Sequence, residues 1–356
     1  MSSHRSSLPP PPPISLRTMQ MAGLLVDVYG LSELLPTATH LSCLWLHHPR
    51  TKSKEDMGDF AARCIAAWYA NVPEGGARQN LGRSRGLVAL AYDQRNHGSR
   101  RVDEKANGSW RDGNAMHAVD MFGVIAGMVA DQRVLLDLVE GYLLHDDTER
   151  KTIDQHLALG VSLGGHSVWQ LMFAEPRVTA GVVVIGCPDY MNLLSDRARL
   201  SKLPTYSAQD EGASFLGSKD FPPSLVEACK RLDPKGIFFG TSAVPDAYAS
   251  GEEDEAARKT VQQRLCGKKF LLCSGGDDKL VPYRCSEQFL QWFKQATGAW
   301  FKEERVSVDD RVYPGIGHTF SEDMVTDAVA FIVDAVANAD RSESASGGDE
   351  QWTSKI

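Results

Sequence analysis

Leu157-Ala158-Leu159-Gly160-Val161-Ser162-Leu163-Gly164-Gly165-His166 reads as a buried strand, a sharp turn and the start of a helix. The apolar run ends in Gly-Val-Ser-Leu-Gly, and the residues from Gly165 through Phe173 suit a helix. G-x-S-x-G in that setting forces strained backbone angles on the central Ser, and small neighbours are needed where strand and helix crowd together. Gly160 and Gly164 supply that room. Ser162 then stands at the mouth of a sheet, with the Leu163 N–H at a helix N-terminus facing any negative charge that develops there. A Gly-rich turn with an idle Ser has the same local pattern. The rest of the chain decides between the two, by supplying an acid and then a His in that order.

Outward from this stretch the chain alternates strands and helices. Residues 18–29 and 37–46 read as two strands separated by a Pro-containing turn. Ser53 with Asp56 three residues on is a capping box, opening a helix with Phe60, Ala61, Cys64, Ile65 and Trp68 on one face. A strand at 86–92 ends in Asp93-Gln94-Arg95-Asn96-His97-Gly98, and a long helix is predicted over 115–143. Strands at 156–161 and 182–185 flank the helix after Ser162. The alternation predicts an α/β fold with a doubly wound, mainly parallel sheet. Between about 188 and 265 the chain turns Pro-, Gly- and charge-rich, which predicts a cap insertion over the carboxyl edge of that sheet. The pattern resumes with a strand at 269–273, a helix at 286–297, a strand near 305–312 and a helix over 322–337.

The resumed strand is followed by Ser274-Gly275-Gly276-Asp277-Asp278-Lys279-Leu280-Val281-Pro282, and the last strand by Tyr313-Pro314-Gly315-Ile316-Gly317-His318. Ser162, an Asp and His318 therefore all fall at carboxyl ends of strands, where doubly wound sheets place ligands. The chain order is Ser, acid, His. Asp277 and Asp278 both qualify as the acid. His318 would take the Ser162 proton as general base, and the acid would fix the imidazole tautomer.

The chain resembles the α/β-hydrolase superfamily over about 18–337. Four motifs carry the likeness: the strand-end His48 loop, the Asp93–Gly98 run, Gly160-Val161-Ser162-Leu163-Gly164, and Asp278-Lys279-Leu280-Val281-Pro282 with Gly317-His318. It is similar to single-domain, prolyl-oligopeptidase-like esterases and, within fungi, to hydrolases of secondary-metabolite and toxin pathways, some of which end in peroxisomal tripeptides. The resemblance places the acid at the head of a D-x-x-V-P run and so implies Asp278, with Asp277 a solvated loop carboxylate. It also implies a second oxyanion donor from the loop after the strand-end His. Here the chain departs from the family's His-Gly: it has His48-Pro49-Arg50, and Pro49 has no N–H to give. The donor is Arg50 if His48 is the matching His; if His47 is, the loop offers none.

Charge and composition narrow the partners. A net charge of −8 over 356 residues, with no basic stripe, argues against nucleic acid or an anionic membrane surface. The seven cysteines include no C-x-x-C pair and read as reduced, buried thiols. No metal-ligand spacing unites His47, His48, His97 and His117, so no metal or other cofactor is expected. No apolar run reaches a membrane span, and the N-terminus lacks a secretory apolar core, which predicts an intracellular soluble protein. Residues 1–15, with a run of prolines from Pro9 to Pro13, read as a disordered leader, 16–338 as the folded domain, and 339–356 as a flexible tail. The tail closes on Ser354-Lys355-Ile356, a variant of the Ser-Lys-Leu address, which predicts a peroxisomal import receptor as partner and a peroxisomal rather than cytoplasmic destination.

The expected activity is a serine hydrolase on a small-molecule carboxylic ester or acyl thioester, working through an acyl-enzyme beneath the cap. Tyr190, Met191, Phe215 and Leu216 are candidates for an apolar acyl pocket, though core packing explains them equally. The alternatives are an acyltransferase, cyclase or lyase of natural-product assembly using the same triad, or a non-catalytic binding protein.

Overall fold

The computed structural model describes residues 8–70, 84–146, 151–246 and 254–339. The C-terminal Ser354-Lys355-Ile356 and nearly all of the predicted tail lie outside them. Among the described residues eight strands form one sheet in the order β1-β2-β4-β3-β5-β6-β7-β8. They are β1 (Leu16–Met21), β2 (Leu24–Tyr29), β3 (Ala38–His47), β4 (Ser84–Tyr92), β5 (Thr152–Val161), β6 (Val178–Val184), β7 (Lys269–Gly275) and β8 (Ser307–Tyr313). β1, β2 and β4 pair antiparallel, and from β4 to β8 every pairing is parallel. The doubly wound, mainly parallel sheet is the one predicted.

The central parallel strands read as apolar runs because both of their faces are covered. In β3, Cys43 and Trp45 enter one core while Leu44 and Leu46 enter the other. The first core lies under α2 (His117–Leu143), α3 (Leu163–Ala174), α7 (Glu255–Leu265) and α8 (Arg284–Gln295). The second lies under α1 (Gly58–Ala70) and α9 (Glu322–Ala337). A third core stands apart from the sheet. It joins α4 (Tyr190–Leu200) and α5 (Pro223–Leu232), which is followed by the short α6 (Pro234–Phe239), to Ala118, Met121, Phe122 and Ile125 at the start of α2. Among the described residues no helix is long and apolar enough to cross a membrane.

Four expectations need correction. The stretch 18–29 is a hairpin, because Ala22 and Gly23 both take positive φ (49° and 83°) and turn the chain back on itself. β5 begins at Thr152, earlier than its apolar run, since buried Gln155 is satisfied by the Ser42 hydroxyl (2.6 Å) and the Ala335 carbonyl (3.0 Å). Helix α7, inside the stretch read as insertion, packs Val261 and Leu265 into the first core. It covers the sheet in the crossover from β6 to parallel β7, so the insertion is shorter than 188–265. At the other end, Arg63 donates to the Pro9 carbonyl (2.9 Å) and the Glu33 carboxylate accepts from the Ser15 N–H (2.8 Å), so the end of the predicted leader is tied down.

Candidate active site

The turn after β5 has the strain its sequence implies. Ser162 sits at φ 55°, ψ −110°, and its N–H donates to the Val184 carbonyl of β6 (2.9 Å). A Cβ on Gly160 would lie 2.0 Å from the Gly164 carbonyl oxygen, and one on Gly164 would lie 2.1 Å from that of His47. Strand, turn and helix therefore meet backbone to backbone, which only glycine permits. Leu163 is the first residue of α3, so its N–H has no intrahelical acceptor.

The loops after β7 and β8 are laced together in the same way. The Gly276 N–H donates to the Tyr313 carbonyl (2.8 Å) and the Asp277 N–H to that of Ile316 (2.9 Å). A Cβ at Gly275 would meet the Ile316 and Gly317 carbonyl oxygens at 2.5 Å. This lacing sets His318 against Asp278. Asp278 Oδ1 accepts from the Leu280 and Val281 N–H groups (2.8 and 2.9 Å), and Oδ2 faces His318 Nδ1 at 2.7 Å. His318 Nε2 stands 2.8 Å from Ser162 Oγ. A carboxylate can only accept, so the imidazole proton belongs on Nδ1 and the Nε2 lone pair faces the hydroxyl. Asp278 is buried and bonded to the imidazole, while Asp277 is exposed.

β3 ends at His47, paired with Gly160, so His48, Pro49 and Arg50 leave the sheet beside the Ser162 turn. His48 is held on both sides: the Gln94 N–H donates to its Nε2 (3.0 Å) and its Nδ1 donates to the Pro49 carbonyl (2.8 Å). Burial pushes the imidazoles of His47 and His48 down to about 4, so both are neutral at pH 7. The Arg50 N–H has no acceptor among the described residues, and its side chain donates to the Asn107 carbonyl (2.8 Å).

Two further histidines are structural. His97 donates from Nδ1 to the Arg95 carbonyl (2.9 Å), and its ring packs on that of His48. The Cys187 N–H donates to His166 Nδ1 (3.0 Å), pinning the first turns of α3 to the loop after β6. No group of three His, Cys, Asp or Glu side chains among the described residues could hold a metal ion. Tyr190, Met191 and Phe215, weighed as pocket residues, are instead buried in the third core, where the Tyr190 hydroxyl donates to the Ala118 carbonyl (2.7 Å). Sequence reading missed Arg197 of α4, which donates to the carbonyl of Leu280 in the Asp278 loop (3.1 Å). No motif marks it.

No family model and no curated protein sequence matches the chain. Among solved structures it is similar to the protein TT1662 of Thermus thermophilus, with 18% identity, 91% of this chain and 98% of that one covered, and a TM-score of 0.54. The chain has the α/β-hydrolase fold. Acetyl xylan esterase 1 of Thermoanaerobacterium sp. JW/SL YS485 aligns over 92% of this α/β-hydrolase-fold chain and 89% of its own, at 14% identity and a TM-score of 0.44. Pyrococcus furiosus esterase Pf2001 aligns over 90% and 92%, at 14% identity and a TM-score of 0.43. In this fold the strand order found here brings the carboxyl ends of β5, β7 and β8 to one rim, and the three side chains meet there.

Proposed function

We propose that this chain is a serine hydrolase that cleaves a carboxylic ester or acyl thioester through an acyl-enzyme. The observation that carries the reading is the unbroken relay from Ser162 Oγ to His318 Nε2 (2.8 Å) and from His318 Nδ1 to Asp278 Oδ2 (2.7 Å). A serine hydroxyl is a weak nucleophile until a base at hydrogen-bond distance removes its proton as it attacks. His318 takes that proton while Ser162 Oγ bonds to the substrate carbonyl carbon. The imidazolium then passes the proton to the departing alcohol or thiol as its bond to carbon breaks. A water repeats the sequence: its proton goes to His318, its oxygen takes the acyl group, and the proton returns to Ser162. Asp278, itself fixed by two backbone N–H groups, holds the tautomer and balances the transient imidazolium.

The developing oxyanion is assigned to the Leu163 N–H at the start of α3 and the Arg50 N–H. Of the loop residues after His48, Pro49 cannot donate and the Arg50 N–H is uncommitted. Two such donors aimed at the oxyanion supply much of the rate in this kind of chemistry.

The test is a fluorophosphonate probe with a panel of 4-nitrophenyl esters and acyl-CoA thioesters of increasing chain length. Wild type should be labelled and turn over. Ser162→Ala should lose labelling and about 10⁴-fold or more of kcat. Equal labelling of the two proteins, or turnover that survives the substitution, overturns the assignment.

A further inference from the structure

Two arginines stand at this rim with no ion pair to an acid among the described residues. Arg197 of α4 is half-buried, and three of its five N–H donors are taken, all by neutral acceptors. These are Nε2 of His117 (3.3 Å), the Met121 sulfur (3.2 Å) and the Leu280 carbonyl (3.1 Å), two residues past Asp278. Its Nε is enclosed by protein and has no acceptor. Arg50, also half-buried, gives one N–H to the Asn107 carbonyl (2.8 Å) and keeps the others. Other arginines without an ion pair among the described residues, such as Arg101, Arg111 and Arg264, are exposed, whereas Arg85, Arg100, Arg177, Arg284 and Arg311 each lie against an Asp or Glu.

Of the nearby carboxylates only exposed Asp112 acts on Arg50, from outside ion-pair distance, and none pairs with either guanidinium. His117 donates from Nδ1 to the Gly108 carbonyl (2.9 Å), so its Nε2 can only accept, and burial with the fields of Arg197 and Arg50 holds it neutral, its pKa pushed down to about 3. Asp112 is exposed and engaged by the Ser109 N–H (2.9 Å) and hydroxyl (2.7 Å). Asp196, one residue before Arg197, is taken by Arg199 and Arg284. Asp278 is taken by His318. Arg50 bonds the Asn107 carbonyl, His117 bonds the next carbonyl, that of Gly108, and Arg197 bonds His117, which places the two guanidiniums in one neighbourhood. Partly desolvated like charges with open donors and no ion-paired counterion are costly unless an anion arrives.

We propose that Arg50 and Arg197 receive a free carboxylate on the substrate, so that this site selects esters or thioesters of carboxylate-bearing compounds. The inference rests on the reading of Ser162 as nucleophile for where the cleaved bond sits, but not for the binding of the anion. A planar guanidinium presents paired N–H donors that match a carboxylate's two oxygens. Arg50 keeps the paired donors for that purpose, Arg197 adds its remaining Nη2–H, and its bond to the Leu280 carbonyl ties it to the loop that carries Asp278.

Two measurements test this separately. In the first, kcat/KM for 4-nitrophenyl hemiglutarate is compared with that for its near-isostere 4-nitrophenyl pentanoate, and 4-acetoxybenzoate reports a carboxylate on the alcohol side. Wild type should favour one of the charged esters by roughly tenfold or more, through KM. That ratio should fall by about the same factor in Arg197→Met and in Arg50→Met and return in part in Arg197→Lys, with probe labelling confirming folded protein. A wild-type ratio near one, or a ratio unchanged in both Met variants, overturns the proposal while leaving the hydrolase reading intact. In the second, glutarate should raise the Tm of Ser162→Ala but not of Ser162→Ala/Arg197→Met. No shift, or an equal shift from inorganic phosphate, overturns the carboxylate assignment even if no ester is turned over.

Discussion

The turn at Ser162 and the packed segment over 188–239 meet at Leu163 and are held by different physics. The turn is fixed by backbone against backbone: Gly160 on Gly164, Gly164 on His47, and the Ser162 N–H on Val184. The capping segment is fixed by side chains. Phe215 and Phe221 touch each other with ring centroids 5.4 Å apart, Phe215 meets Trp110, and Tyr190 meets Phe122. A backbone contact is written in sequence as a glycine at a fixed spacing. A packed side chain is written only as an apolar residue that could have packed elsewhere. The first region is thus stiff and legible, the second adaptable and not.

The largest expected effect comes from testing the stiff region. Gly160→Ala puts a methyl 2.0 Å from a carbonyl oxygen that belongs to the backbone of α3, with no flexible side chain to yield. The strand or the helix must move, and the expected loss is more than about 4 kcal/mol, read as failure to recover folded protein or a collapse in the urea midpoint. A variant that melted near wild type would show that the turn has slack, and the comparison would fail.

That difference explains which parts of the molecule were readable in advance. The sheet was legible because both faces of β3, β5 and β7 are buried, leaving unbroken apolar runs at strand length. Ser162, Asp278 and His318 were legible because each follows such a run and is flanked by glycine. The choice of Asp278 over Asp277 was not legible from spacing, since either could reach; the Leu280 and Val281 N–H groups decide it by turning the Asp278 carboxylate inward. The hairpin at Ala22-Gly23 was misread because Met19, Met21 and Leu24 to Val26 keep the apolar tone straight through the turn. Arg197 was invisible because a cation on a helix normally faces water, and only its contacts with His117 and Leu280 give it significance.

The next effect belongs to the adaptable region. Phe215 is fully buried and makes ring contacts with Trp110 and Phe221, so Phe215→Ala should cost about 3 kcal/mol through lost burial and the cavity left behind. If the two regions are separable, the folded fraction at low temperature still reacts with the fluorophosphonate at Ser162. Loss of labelling with the fold retained would mean that the cap side chains set the geometry of the turn.

A last test separates the regions by pH. Burial holds five histidines neutral, pushed down to about 4 for His47, His48 and His156 and about 3 for His117 and His166. The unfolded chain binds those protons nearer the ordinary value of about 6.5, so below that pH it holds more protons than the folded chain. Stability is therefore fully present above about pH 6.5 and drains as pH falls toward 4, by at least about 2 kcal/mol at pH 5. Urea melts at pH 7, 6 and 5 measure it, and a flat profile would contradict the burial of these rings. The order of release is the finer test. Protonating His166 exchanges its bond from the Cys187 N–H (3.0 Å) for one to the Cys187 carbonyl (3.1 Å), within the backbone-locked turn. Protonating His117 sets a cation against Arg197 and Arg50, with only exposed Asp112 to offset it, at a seam held by side-chain packing. Hydrogen exchange at pH 5 should accordingly show α4 and α5 losing protection before α3. The reverse order would mean that packed aromatic side chains hold this rim more firmly than the glycine contacts do.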